Sequence, residues 1–151
     1  MKQSNILALA TITLSTSLVY ACSGGDTGTA TMDVPAARVF IVSPAYGSIV
    51  TSPVTVEFGI EGYALAPAGT SEAGTGHHHL LVDSPLPPLD QPVPSDEQHI
   101  HFGKAQTSTL LELAPGDHTL QLLLGDGNHV PHDTALISDP IVITVVADAV
   151  E

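Results

Sequence analysis

From Arg38 onward the chain runs in short apolar or alternating stretches, each closed by proline or glycine. No stretch keeps apolar residues at helical spacing for more than two turns, so the pattern predicts strands rather than helices. Strands are expected at Arg38–Val42, Val54–Ile60, His77–Asp83, His99–Phe102, Thr107–Leu113, His118–Leu124 and Ile141–Val146. In the second, Val54, Val56, Phe58 and Ile60 alternate with Thr55, Glu57 and Gly59, which buries one face and wets the other. In the sixth, Leu120, Leu122 and Leu124 do the same. Pro44-Ala45-Tyr46-Gly47 and Ala114-Pro115-Gly116-Asp117 carry turn chemistry: proline fixes φ and glycine accepts positive φ. Pro85, Pro87, Pro88, Pro92 and Pro94 make residues 84–98 a stiff extended connection, barred from a central strand and expected over an edge. About seven strands predict an all-β domain, an immunoglobulin-like β-sandwich.

Upstream the pattern changes. Residues 1–21 place Lys2 before an apolar, hydroxyl-rich stretch that ends in Val19-Tyr20-Ala21 ahead of Cys22, the order expected of a bacterial lipoprotein signal peptide. Cleavage before Cys22 and acylation of its thiol would anchor the protein to the cell envelope, in the periplasm or at the outer membrane. An ordinary cleaved signal peptide with a stray cysteine is the alternative. Residues 22–36 are rich in Gly, Thr, Ala and Ser without periodicity and read as a flexible tether. Residues 37–148 form the His-rich domain.

Composition narrows the chemistry. Sixteen acidic residues against three Lys and Arg, a formal net charge of -13, argue against nucleic acid or an anionic lipid surface as partner. Neutral or cationic partners fit, divalent metal ions included; contact with the membrane is through the lipid anchor only. One cysteine excludes a disulfide framework and a thiolate metal cage. All eight histidines lie between His77 and His132.

Side chains alternate along a strand, so His77 and His79 share one face while His78 points with the aliphatic residues. His78 is expected to be a core histidine bonded to backbone. Ile100 and Phe102 face the core, which turns His99 and His101 outward together. In a sandwich the strand opened by His77 neighbours the strand that leads into Gly125-Asp126-Gly127-Asn128-His129-Val130-Pro131-His132. His77, His79, His129 and His132 are therefore expected to converge at one end; whether His99 and His101 join them depends on the proline-rich connection. His118 belongs at the far end, capping the Pro115-Gly116 turn. Neutral imidazoles are good ligands for Cu(II) and Zn(II), with Asp83, Asp126 and Asp133 available to orient the rings. The alternative is a polar sheet end whose histidines bond loop backbone.

The segments Gly76-His77-His78-His79-Leu80-Leu81-Val82-Asp83, His99-Ile100-His101-Phe102-Gly103-Lys104-Ala105-Gln106-Thr107, Pro115-Gly116-Asp117-His118-Thr119-Leu120-Gln121-Leu122-Leu123-Leu124-Gly125-Asp126 and His129-Val130-Pro131-His132 resemble, in this order, the bacterial domain-of-unknown-function family 4399. Arg38 to Pro44 and Pro53 to Gly59 fit its opening strands. Where the family carries a second glycine after the HFGK stretch, this chain has Ala105. The resemblance implies a secreted or lipid-anchored domain and brings no activity.

Three functions compete. The first is a copper- or zinc-binding module for storage, delivery or sensing. The second is a non-catalytic Ig-like structural or interaction domain. The third, a metal-dependent enzyme, needs an open coordination position and a general base such as Asp126 or Asp133. No HExxH spacing, Ser-His-Asp set or Cys-His set supports catalysis.

Overall fold

A computed structural model describes residues 36–147. The leader, Cys22 and all but the last residue of the tether lie outside the described residues. Within them the protein is all-β. Its strands are Arg38–Ser43 (β1), Ile49–Thr51 (β2), Val54–Glu61 (β3), Ala64–Leu65 (β4), Thr75–Val82 (β5), His99–His101 (β6), Ser108–Leu111 (β7), Gly116–Gly125 (β8) and Ile141–Val146 (β9). The seven expected strands are present, with β2 and β4 in addition. These two hold three and two residues, too few for a period of two to show in sequence.

One sheet has the order β1-β3-β7. The other has the order β2-β9-β8-β5-β4, with β6 also paired to β5. The two halves of β5 thus have different neighbours on one side: Thr75 and Gly76 pair with β4 in parallel, and His79 to Leu81 pair with β6 antiparallel. On its other side β5 runs antiparallel to β8, from His77 opposite Gly125 to Val82 opposite Leu120.

Alternation explains the core. Val54, Val56 and Phe58 of β3 and Leu120, Leu122 and Leu124 of β8 are buried in one apolar cluster with Leu80, Ile143 and Val145. Each such side chain removed from water contributes about 1.5–3 kcal/mol. Phe58 packs its ring 4.8 Å from that of Phe102 and 5.3 Å from that of His78. We expect Phe58→Ala to cost about 3–5 kcal/mol, the range for large aromatic truncations. An unchanged urea midpoint for that variant would mean that the face carrying Phe58 is not the buried one.

A second, smaller cluster of Leu81, Leu123 and Val93 forms on the opposite face of the larger sheet. Val93 comes from the proline-rich connection, whose position differs from the expectation: it packs over the face beside β5 and β8 rather than over an edge. Val93 also donates its N–H to the His129 carbonyl at 2.9 Å. Covered on both faces, β5 is buried at all eight positions, although three of them are histidines. His78 lies in the inter-sheet core, as alternation predicts, but neither of its ring nitrogens has a hydrogen-bond partner. Burial alone pushes its pKa down to about 4.

After β6 the chain turns with Ala105 at φ 59°. This left-handed conformation costs a residue with a Cβ roughly 1–2 kcal/mol.

Candidate metal centre

Three elements deliver imidazoles to one point on the outer face of the larger sheet. Strand β5 contributes His77 and His79, two residues apart and therefore on one face. The β5–β6 register sets His101 directly across from His79. The loop after β8 contributes His129. Ring centroids lie 4.8 Å apart for His77 and His79, 4.9 Å for His77 and His101, 5.0 Å for His77 and His129, and 4.6 Å for His101 and His129. One ring nitrogen from each of His77, His101 and His129 falls within 4.8 Å of the others.

The loop is built to hold His129 there. Asp126 Oδ1 accepts from the Asn128 N–H at 2.8 Å and from the Val130 N–H at 2.9 Å. The His129 N–H donates to the Asp126 carbonyl and the Asp126 N–H to the Val130 carbonyl. These bonds keep His129 at φ 68°, a conformation that a non-glycine residue holds only when its surroundings impose it. The segment after β4 crosses above the loop, with the Ala68 N–H bonded to the Gly103 carbonyl and the Gly69 N–H to the Gly127 carbonyl.

Two glycines make room for the rings. Gly125 stands opposite His77, and a Cβ there would meet His79 Cε1 at 2.7 Å. A Cβ on Gly103 would meet His101 Nε2 at 2.6 Å. Backbone therefore approaches the imidazoles where a side chain would displace them.

The surroundings of His77, His79 and His101 favour the neutral form of each ring. Burial first, then the neighbouring imidazoles His101 and His129, push the His77 pKa down to about 4 against an opposing pull from Asp126. His79 is pushed down to about 3 by burial and then by His77, His101 and His129. His101 is lowered too, by burial and then by His129. Neutral imidazoles carry lone pairs, and those of the cluster are unused: both ring nitrogens of His77 and of His79, and Nε2 of His101, are buried without a hydrogen-bond partner.

The other histidines are placed differently. His132, expected in the group, packs its ring on Tyr63 at 4.9 Å. The chain returning from the loop bridges Pro131 to Gly125, so His132 leaves the cluster. His99 lies on the same strand as His101, but Asp96 Oδ1 stands 2.8 Å from its Nδ1 and Ser84 Oγ 3.2 Å from its Nε2. Both nitrogens are engaged because the turn before β6 brings Asp96 back onto the ring. His118 sits at the start of β8, with Nδ1 2.6 Å from Asp83 Oδ2 and Nε2 2.8 Å from the Ala114 carbonyl oxygen. Two acceptors require two N–H donors, the imidazolium form. Burial lowers its pKa, yet the Ala114 carbonyl and the Asp83 carboxylate outweigh that, and the net shift is upward. Asp83 also accepts from the Thr119 N–H, so it fixes the start of β8 rather than orienting a cluster ring.

His101 was legible as a candidate, since it shares a face with His99; its neighbour across the strand was not. That neighbour depends on the register of a three-residue strand beyond a long irregular connection.

No curated protein and no solved structure matches the chain. Residues 56–146, which run from within β3 to the end of β9 and include all eight histidines, match the family described as Domain of unknown function (DUF4399), and the chain belongs to that family.

Proposed function

We propose that this protein is an exported, lipid-anchored metal-binding domain that holds a Cu(II) or Zn(II) ion on His77, His101 and His129, with His79 in the same cluster, for storage or delivery of the ion. One observation carries the reading. Five ring nitrogens on three imidazoles in mutual contact, those of His77, His79 and His101, are buried with no partner, whereas the other unpartnered rings, His78 in the inter-sheet core and His132 on Tyr63, each stand apart from that group. Leaving a buried polar group unsatisfied costs about 1–3 kcal/mol, and three such rings in mutual contact concentrate that cost at one point. A bound ion offsets it by accepting the lone pairs. An all-imidazole set suits copper, zinc or nickel, and the general affinity order puts Cu(II) first.

The chain is expected to bind one equivalent of Cu(II) or Zn(II) in a calorimetric titration. Its melting temperature should rise, since an ion that binds the folded chain alone stabilises it by about 2.7 kcal/mol at a hundredfold excess over Kd. Absence of binding at micromolar metal would leave the structural or interaction domain as the function. The anchor is tested separately: Cys22→Ser should move the protein from the detergent phase to the aqueous phase, and unchanged partition would exclude acylation at that thiol.

A further inference from the structure

The ring planes divide the four cluster histidines into two kinds. His77, His101 and His129 meet one another steeply, at 72°, 79° and 61°. Since a lone pair lies in the plane of its ring, steep pairs can aim three nitrogens at one point, and these are the three whose nitrogens fall within 4.8 Å of one another. His79 is steep only to the more distant His129, at 74° and 5.9 Å, and meets His77 at 44°. It stacks on His101 at 28° and 5.2 Å, face toward face. The edge that carries Cε1 and Nδ1 is turned to β8, where a Cβ on Gly125 would lie 2.7 Å and 3.1 Å from those atoms.

We infer that an ion held by His77, His101 and His129 keeps an open coordination position for a small exogenous donor of one to three heavy atoms, and that His79 stands beside that position as a positioning residue instead of filling it. The inference rests on the metal-binding reading above and adds to it an external ligand. Three protein ligands and a fourth, exchangeable one are the arrangement of zinc sites that do more than hold a fold together. The position faces the side that solvent reaches, because His101 and His129 are only partly buried while His77 and His79 are fully buried. Three neutral imidazoles leave the charge of a divalent ion uncompensated, so water, hydroxide or a compact anion is the class of ligand that fits. Its size is limited by the backbone at Gly103 and Gly125. A bound water or anion would also give the His79 ring the hydrogen-bond partner that the protein itself withholds.

The test uses the full chain loaded with one equivalent of Cu(II), titrated with sodium azide and followed by absorption and electron paramagnetic resonance. An azide-to-copper charge-transfer band that saturates at one azide per copper, with a shifted resonance spectrum, is the expected result. His79→Gln should retain copper with less than about a tenfold change in Kd and bind azide at least about tenfold more weakly. Stoichiometric copper binding with a spectrum that azide leaves unchanged would overturn the open position, as would a hundredfold or greater loss of copper affinity in a folded His79→Gln chain. The azide titration of the unmodified chain decides the matter even if that variant does not fold. Failure of copper to bind at all would instead overturn the metal-binding reading, and the open position with it.

Discussion

Lowering the pH of the metal-free protein from 7 to 4 is expected to remove much of its stability. The cause is the set of fully buried histidines on β5. An unfolded chain offers each an ordinary pKa near 6.5, whereas in the fold His77 and His78 sit at about 4 and His79 at about 3. Below pH 6.5 the unfolded state therefore binds more protons than the native state, and stability falls with pH. The contribution of each ring is complete above about pH 6.5 and is lost progressively as pH drops toward its folded value. For His78, whose shift comes from burial alone, the difference from 6.5 to about 4 corresponds to roughly 3 kcal/mol at 1.36 kcal/mol per unit. His77 and His79 repel each other when charged, so their losses do not simply add to it, but they act in the same direction. Against a typical domain stability of 5–15 kcal/mol this removes a large share of the stability of the metal-free chain by about pH 4. Urea melts at pH 7.5, 5.5 and 4.5 would measure the decline, and His78→Leu should recover about 2–3 kcal/mol of it at the lowest pH. A midpoint that stays level across the range would mean that the rings are hydrated and not buried. With Zn(II) bound the decline should be steeper, since protons then displace the ion as well.

The second large effect concerns the ligands. Removing one of three imidazoles should weaken Cu(II) binding at least about a hundredfold, near 2.7 kcal/mol, for His101→Ala and for His129→Ala. His99→Ala, His118→Ala and His132→Ala should leave affinity within a few fold: the first two rings are hydrogen-bonded to protein acceptors, and the third packs on Tyr63. Gly103→Ala is the most discriminating variant, because it deletes no ligand. Its Cβ would sit 2.6 Å from His101 Nε2, so the ring must move, and an affinity loss of at least about tenfold is expected. Isothermal titration of the series at pH 7.5 separates the outcomes. Comparable losses at all histidines would indicate diffuse surface binding, and an unaffected Gly103→Ala would show that His101 is not a ligand.

The faces of the long strands were legible in the sequence because they depend on nearest neighbours along the chain. Val54, Val56 and Phe58, and likewise Leu120, Leu122 and Leu124, occupy the core that alternation assigns to them. The same rule separates His78, in the core, from His77 and His79 on the outer face. Strands β2 and β4 were not legible, since two or three residues carry no period, and each is a strand only through parallel pairing, with β9 and β5 respectively. The covering of Leu81 and Leu123 by Val93 was hidden for a related reason: a proline-rich segment shows where a strand cannot form, not which face it crosses.

For the cluster the division falls within pairs of similar residues. The sequence by itself determined that His77 and His79 point the same way and that the loop at His129 returns to their end of the sheet. Only the tertiary structure decided which other imidazoles arrive. His101 enters because the β5–β6 register places it across from His79, and His99, two residues earlier, is engaged by Asp96 from the preceding turn. His129 enters because Asp126 closes the loop beneath it, and His132 leaves because Pro131 bridges back to Gly125. Alternation is a property of two adjacent residues and survives in any strand. Convergence is a property of register and loop closure, which are set by how the two sheets pack and by the backbone hydrogen bonds that packing permits.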